Sequence, residues 1–222
     1  MKSSRNTRTR LSVGAIHNAA LELIQQKSLE ALSMRSLAAV LGVDPMAIYH
    51  HIPNKATLIF GLYNTVLAEL IPDDASAESW QNGLKTLARQ YRALALAYPK
   101  LFPSLIAANS TSENAYKAFE RLHGLMLQTG LNPARVVQAA DAYFALVTGF
   151  ALLELHNASA KPAQTDLEFL ASANPDEYPH LTSLLPVLSA TTLGGSFEFG
   201  LEVFIAGLEQ TISSPRANRV DE

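Results

Sequence analysis

Residues 33–55 read SMRSLAAVLGVDPMAIYHHIPNK, and the reading of this stretch decides the fold. Leu37, Ala38 and Leu41 recur at helical spacing behind Ser33, a residue type that caps helix starts by accepting a hydrogen bond from an orphan backbone N–H. Gly42 stands where a helix must end in a left-handed conformation. Asp44-Pro45 restarts the chain, because Asp44 can cap and Pro45 sits in the first turn without losing an N–H partner. A second, very short helix is predicted from Met46 to His51, and Pro53 stops it. Two short helices joined by a tight glycine-containing turn form a unit that lays its second helix in the major groove of DNA.

The short second helix divides into two faces. Val43, Ile48 and Ile52 are expected to look inward, leaving Pro45, Met46, Ala47, Tyr49 and His50 outside. Small apolar groups such as Ala47 and Met46 can contact thymine methyls, and Tyr49 can hydrogen-bond a phosphate or pack against the next helix. Arg35 opens the first helix of the pair, where its planar fork can reach guanine O6 and N7 or a phosphate. Lys55, at the start of the following helix, is placed for phosphate, and that helix N-terminus adds its dipole. Ser33 and Asp44, at the two helix starts, complete the candidate DNA-contacting set. Arg5, Arg8 and Arg10 form a basic arm that either tracks the backbone or stays clear of it.

Charge is distributed accordingly. Residues 1–60 carry seven Lys/Arg against three acidic residues, and the remainder carries ten against seventeen, within a net charge of −3. A basic head on an acidic body is expected when only the head meets a polyanion. There are no cysteines, so a disulfide framework, a thiolate nucleophile and a cysteine–zinc site are excluded. No signal-peptide h-region opens the chain, and the most apolar stretch, Ala139 to Leu155, is broken by Asp141, Thr148, Gly149 and Glu154. It reads as a buried or interface helix, and a cytoplasmic location is the expectation.

Along the chain the pattern is all-α. A flexible arm (1–10) precedes a DNA-binding domain (11–71) of three helices plus a fourth, capped by Asn54, that bridges to the body. Pro72-Asp73-Asp74-Ala75-Ser76 marks the boundary. The body (77–212) is a helical bundle: Glu78–Ala97, Leu101–Ala108, Ser112–Gln128, Pro133–His156, one or two short helices between Lys161 and Pro186, and Gly195–Thr211. A flexible tail (213–222) follows.

These residues carry a family resemblance. Residues 33–55 resemble the DNA-binding segment of the tetracycline-repressor (TetR) family of bacterial transcription regulators. Leu41-Gly42-Val43, Ile48-Tyr49-His50-His51 and Asn54-Lys55 fall where that family has equivalents. Ala19-Ala20-Leu21-Glu22-Leu23 is similar to the family's first helix. Glu78-Ser79-Trp80-Gln81 and the FEFGLEVFIAGLEQ run from Phe197 to Gln210 resemble the regulatory domain of the tetracycline repressor's own branch. The resemblance spans about Leu11 to Thr211 and implies a homodimeric repressor on a palindromic operator, released by a small-molecule effector. An effector-independent DNA-binding dimer, architectural or corepressor-like, is the alternative.

Catalysis finds no support in the residues. His50 and His51 are adjacent and diverge on a helix, His17, His123 and His180 lack carboxylates at ligand spacing, and Glu154 and His156 diverge. No G-x-S-x-G, H-E-x-x-H or phosphate-cradling glycine loop occurs. No metal or cofactor is expected. In the body, Trp80, Tyr91, Phe102, Phe119, Met126, Tyr143 and Phe150 come from several helices and together suggest an apolar pocket. Its expected lining is Tyr91, Phe102, Leu122, Met126 and Phe150, with Ser104, Asn109, His123 and Glu154 as polar candidates.

Where the tetracycline repressor has polar groups and a metal-binding histidine, this chain has Leu70, Leu87, Tyr91 and Leu122, and no histidine from Pro99 to Asn109. The resemblance therefore implies an effector that is more apolar and metal-free. The dimer is expected to form through Val136, Ala140, Phe144 and Val147 with Phe197, Leu201, Phe204 and Leu208, unless these residues build the core of one chain.

Overall fold

The computed structural model describes residues 11–71, 79–108, 112–159 and 164–214. The basic arm, the Pro72–Ser76 boundary, Glu78, Asn109 and the tail from residue 215 lie outside the described residues. Eleven helices run in order among the described residues: α1 (Val13–Gln26), α2 (Met34–Leu41), α3 (Pro45–Tyr49), α4 (Lys55–Leu67), α5 (Trp80–Ala97), α6 (Phe102–Ala107), α7 (Glu113–Leu127), α8 (Pro133–Ser159), α9 (Gln164–Ser172), α10 (Pro179–Leu188) and α11 (Leu193–Ser213). A single 3-10 turn, Ala68–Leu70, extends α4, and the described residues contain no strand. The protein is all-α.

The helix boundaries follow local chemistry. Ser12 Oγ accepts from the Ala15 amide at the start of α1, Asn54 Oδ1 from Thr57 at the start of α4, and Thr192 Oγ1 from Gly195 at the start of α11. Each satisfies one of the N–H groups that a helix start leaves unpaired. Pro133 and Pro179 open α8 and α10, where a missing N–H costs nothing.

Packing divides the chain into two compact units. The first takes residues up to Ile71 together with Tyr98–Ala118; the second takes Pro72–Ala97 and everything from Phe119 onward. The stretch 98–118, grouped with the body by its place in sequence, thus packs with the DNA-binding helices, and α7 begins in one unit and ends in the other. In the first unit α1 packs on α2 and α4, and α2 on α3. Their core is Ile16, Ala20, Leu23 and Ile24 of α1 with Leu37, Ile48, Leu58, Leu62 and Val66, all buried. Each such side chain contributes about 1.5–3 kcal/mol when fully removed from water.

In the second unit α8 packs against both α5 and α11. Leu84, Leu87, Ala88, Tyr91 and Leu94 of α5 meet Val136, Ala140, Tyr143, Val147 and Ala151 of α8, with Phe197, Leu201, Ile205 and Leu208 from α11. This corrects the expected dimer surface. Val136, Ala140, Val147, Phe197, Leu201 and Leu208 are buried within one chain, and Phe144 and Phe204 are half-buried, ring to ring with Tyr91, Phe119 and Tyr143. They build the monomer core. The opposite faces of the same two helices carry the exposed apolar groups: Val137 is 50% exposed, Leu153 54%, Phe199 67% and Val203 54%.

The reason is compositional. Both helices are apolar on more than one side, so spacing alone does not tell the inner stripe from the outer one. By length and composition α8 is apolar enough to cross a membrane, yet its inner stripe is core and its outer one carries exposed Asp141.

Candidate functional site

The helix-turn-helix is built from its caps. Ser33 and Ser36 form a reciprocal box: Ser33 Oγ accepts from the Ser36 amide at 3.0 Å, and Ser36 Oγ accepts from the Ser33 amide at 2.9 Å. Gly42 then takes φ 65°, ψ 34°, the left-handed region where a side chain is costly. The Gly42 amide donates to Ala39 and the Val43 amide to Ala38, closing the end of α2. Two residues on, the Asp44 carboxylate accepts from the Met46 amide at 2.8 Å and starts α3. The turn between the helices is therefore set by one glycine and one carboxylate, neither of which needs a distant partner.

That framework presents the candidate contact residues. Leu37 and Ile48 are fully buried and Ile52 nearly so, which fixes the rotation of α3. Met46, Tyr49 and His50 are exposed, Pro45 and Ala47 half-exposed, and Arg35 is exposed on the first turn of α2. Lys55 is half-buried at the first position of α4. Its charge reaches Glu30, whose carboxyl is held below its ordinary value mainly by a hydrogen bond from Ser28 and least by Lys55. Ser33 and Asp44 stand apart from the others, since both side chains are engaged in capping.

The expected effector residues fall into different places. Tyr91, Leu122 and Met126 are buried in the second unit, beside half-buried Phe150 and His123. The Tyr91 hydroxyl meets Thr148 Oγ1 at 3.2 Å, and burial pushes its phenol up to about 12. Tyr91, Phe144 and Phe119 make a run of ring contacts at 5.8 and 5.9 Å that ends at an exposed Phe119. Phe150 packs edge-on to Phe197, and His123 Nδ1 bonds the Phe119 carbonyl at 2.8 Å.

Three expectations change. Glu154 is not free to orient a ligand, because both of its oxygens accept from Arg92 at 2.6 Å, with that guanidinium lying over the Phe197 ring. Phe102 is fully buried in the first unit, whereas Tyr91, Leu122, Met126 and Phe150 belong to the second. Ser104, also in the first unit, accepts from the Tyr63 hydroxyl and donates to the Leu101 carbonyl. An open groove of about 360 Å³ on the first unit is lined by Asn18, Leu21, Glu22, Gln25, Gln26 and Tyr98, none of them an expected ligand residue. Among the described residues no group of three His, Asp or Glu side chains is placed to hold a metal ion.

Sequence reasoning missed the long-range polar links. Arg92–Glu154 and Arg89–Glu198 join helices 62 and 109 residues apart. Charged side chains on different helices, whether half-buried like Arg92 and Glu154 or exposed like Arg89 and Glu198, have no periodic signal that would pair them.

Comparisons with known proteins agree with this geometry. Residues 16–62 match the model of the bacterial regulatory proteins of the tetR family, and residues 71–212 match the tetracyclin repressor-like C-terminal domain. The HTH-type transcriptional repressor DrrR1 of Streptomyces coeruleorubidus is 28% identical over 97% of this chain and 83% of its own length. The class G tetracycline repressor protein of Vibrio anguillarum is also 28% identical, over 91% of this chain and 95% of its own. The TetR family protein ActR of Streptomyces coelicolor, in complex with actinorhodin, superposes with a TM-score of 0.76 at 26% identity, covering 93% of this chain and all of that one. With its matched N- and C-terminal domains, its α2–α3 framework packed on Leu37, Ile48 and Ile52 and the exposed face of α3, the chain belongs to the TetR family of bacterial regulatory proteins: it is a helix-turn-helix DNA-binding repressor with a tetracyclin repressor-like C-terminal domain.

Proposed function

We propose that two copies of this chain bind a palindromic operator, and that a mainly apolar, metal-free effector taken up by the second unit releases them. The observation that carries this reading is the α2–α3 framework, in which Leu37, Ala38, Ile48 and Ile52 are buried, Val43 is half-buried, and Arg35, Met46, Tyr49 and His50 all remain exposed. In it Arg35 contacts a base edge or phosphate, Pro45, Met46 and Ala47 lie against base methyls, Tyr49, His50 and Lys55 face phosphate, and Ser33 and Asp44 set the geometry. One short recognition helix reads few base pairs, so useful specificity needs a second copy and a two-fold site.

Support for a second copy comes from the exposed apolar groups of α8 and α11. Val137, Leu153, Phe199 and Val203 stay exposed there in one chain, flanked by Ala134, Ala142, Ala145 and Ala206. Four such helices packed together give a bundle with an apolar centre. Asp141 on the outer stripe of α8 disfavours lipid as the alternative cover. The domain division follows the packing, with residues 11–71 and 98–118 as the DNA-binding part, acting in the cytoplasm and without catalysis.

Effector contacts are assigned to Tyr91, Leu122, Met126, Phe150 and His123, with Phe119 and Phe144 extending the aromatic wall. Actinorhodin in the complex with ActR supports a small-molecule effector, and leucines at 87 and 122 favour apolar contact. A polar ligand group left unpaired against them costs about 1–3 kcal/mol. Calorimetry tests this: tetracycline with magnesium should bind no tighter than about 1 µM, with no effect of chelator. Hydrophobic compounds that raise the melting temperature should lose that effect in Tyr91→Ala or Met126→Ala. Chelator-sensitive, tighter tetracycline binding would overturn the assignment.

A further inference from the structure

The first unit contains a set of polar links made by residues far from the helix-turn-helix in sequence. Lys100 Nζ donates to the carbonyls of Gln25 at 2.7 Å and Lys27 at 2.9 Å, at the C-terminal end of α1. The Asn114 amide donates to Asn64 Oδ1 at 3.0 Å, and Asn114 Nδ2 donates to the Asn64 carbonyl at 2.8 Å, near the end of α4. The Tyr98 hydroxyl donates to Glu69 Oε1 at 2.7 Å, in the 3-10 turn that extends α4. These donors therefore act near the C-terminal ends of α1, which packs on α2, and of α4, which packs on α1: Lys100 and Asn114 reach backbone carbonyls there, and Tyr98 and Asn114 reach side-chain oxygens. A lysine at a helix C-terminus also meets the negative end of its dipole.

The links are additional to packing. Leu101, Phe102, Leu105 and Ala115 already bury the apolar side of the same stretch. What hydrogen bonds add is register: an apolar contact tolerates sliding, whereas a two-point amide pair and a lysine held by two carbonyls do not. Non-specific DNA binding needs only charge near phosphate, while an operator needs both recognition helices held at one spacing and tilt.

We propose that Tyr98, Lys100 and Asn114 are positioning residues for operator recognition, acting through α1 and α4 without touching DNA. The proposal rests on the DNA-binding dimer described above, and its test separates the two. The full-length wild-type chain is used to select a duplex from a random pool. Affinity for that duplex and for a random duplex of equal length is then measured by fluorescence anisotropy. Lys100→Met and Asn114→Ala should each weaken the selected duplex about tenfold while changing the random duplex less than about twofold, with Lys100→Arg retaining most of the discrimination.

Tyr98→Phe deletes one hydroxyl and keeps the ring; it decides the matter if either larger change lowers helical circular dichroism, and should cut the selected-to-random ratio at least about threefold. Equal losses on both duplexes, or an unchanged ratio in folded variants, would overturn the positioning role. Sedimentation of the wild type on the selected duplex reports the dimer independently: one chain per duplex would remove the dimer while the ratios still decide the positioning.

Discussion

Arg35 and Lys55 are two cations with different work, and the difference is measurable. Arg35 is exposed on the first turn of α2, so Arg35→Ala should weaken operator binding by about 1–3 kcal/mol if the guanidinium reads a base, with a smaller effect on random duplex. Lys55→Ala should weaken both duplexes alike and reduce the salt slope by about one, as loss of a phosphate contact requires. Altered discrimination at an unchanged slope would contradict the phosphate role.

A third residue-level case lies behind them. Thr65 Oγ1 donates to the Gly61 carbonyl, so in its 2.9 Å bond with His17 it accepts from Nδ1–H, and the ring stands against Gly61. A methyl added at Gly61 would lie 2.6 Å from His17 Nε2. Gly61→Ala should therefore destabilise by about 1–3 kcal/mol through overpacking. In a His17→Ala background the same change should stabilise, since alanine exceeds glycine in a helix by about 1 kcal/mol. Burial also holds the His17 imidazole below its ordinary value. The unfolded chain then takes the proton more readily, so stability is complete above about pH 6.5 and falls as pH drops below it. Melting temperatures across pH for wild type and His17→Phe should converge on the acid side; parallel curves would contradict a half-buried ring that stays neutral in the fold.

At the scale of elements, the sequence was legible wherever the cause of structure is local. Ser33, Gly42, Asp44-Pro45 and Asn54 carry their own instructions, and the helices they bound lie where capping chemistry puts them. Rotation of α3 was legible in part, because the branched apolar groups Ile48 within it and Ile52 just beyond it are both buried, whereas Val43 before it is only half-buried. The outer and inner faces of α8 and α11 were not. Val136 and Val137 are neighbours of identical type, one buried and one exposed, and only the packing of α5 distinguishes them. The faces predict opposite phenotypes. Phe199→Glu with Val203→Glu should give a monomer with helical circular dichroism intact, seen by sedimentation. Leu201→Glu should unfold the second unit instead, since an unpaired buried carboxylate costs several kcal/mol. An unchanged dimer in the first variant would move the interface elsewhere.

At the scale of the whole molecule, linear order and charge sign placed 98–118 with the body, and packing places it with the DNA-binding helices. Its partners Gln25, Lys27, Asn64 and Glu69 are polar residues whose pairing leaves no pattern along the chain, and that is why this part of the site was invisible in sequence. The same holds for Glu154, whose engagement by Arg92 depends on two helices meeting. Effector binding and operator binding must favour different arrangements of such a molecule, and the coupling between them is reciprocal. Whether two copies read a two-fold site through Arg35 and the exposed face of α3 is decided by selecting duplexes from a random pool with the wild-type chain and counting chains per selected duplex. The expected result is an inverted repeat with half-sites about one helical turn apart, or multiples of it, bound by an even number of chains and weakened by Arg35→Ala. Enrichment of no sequence, or of sites lacking two-fold symmetry with one chain bound, would contradict it.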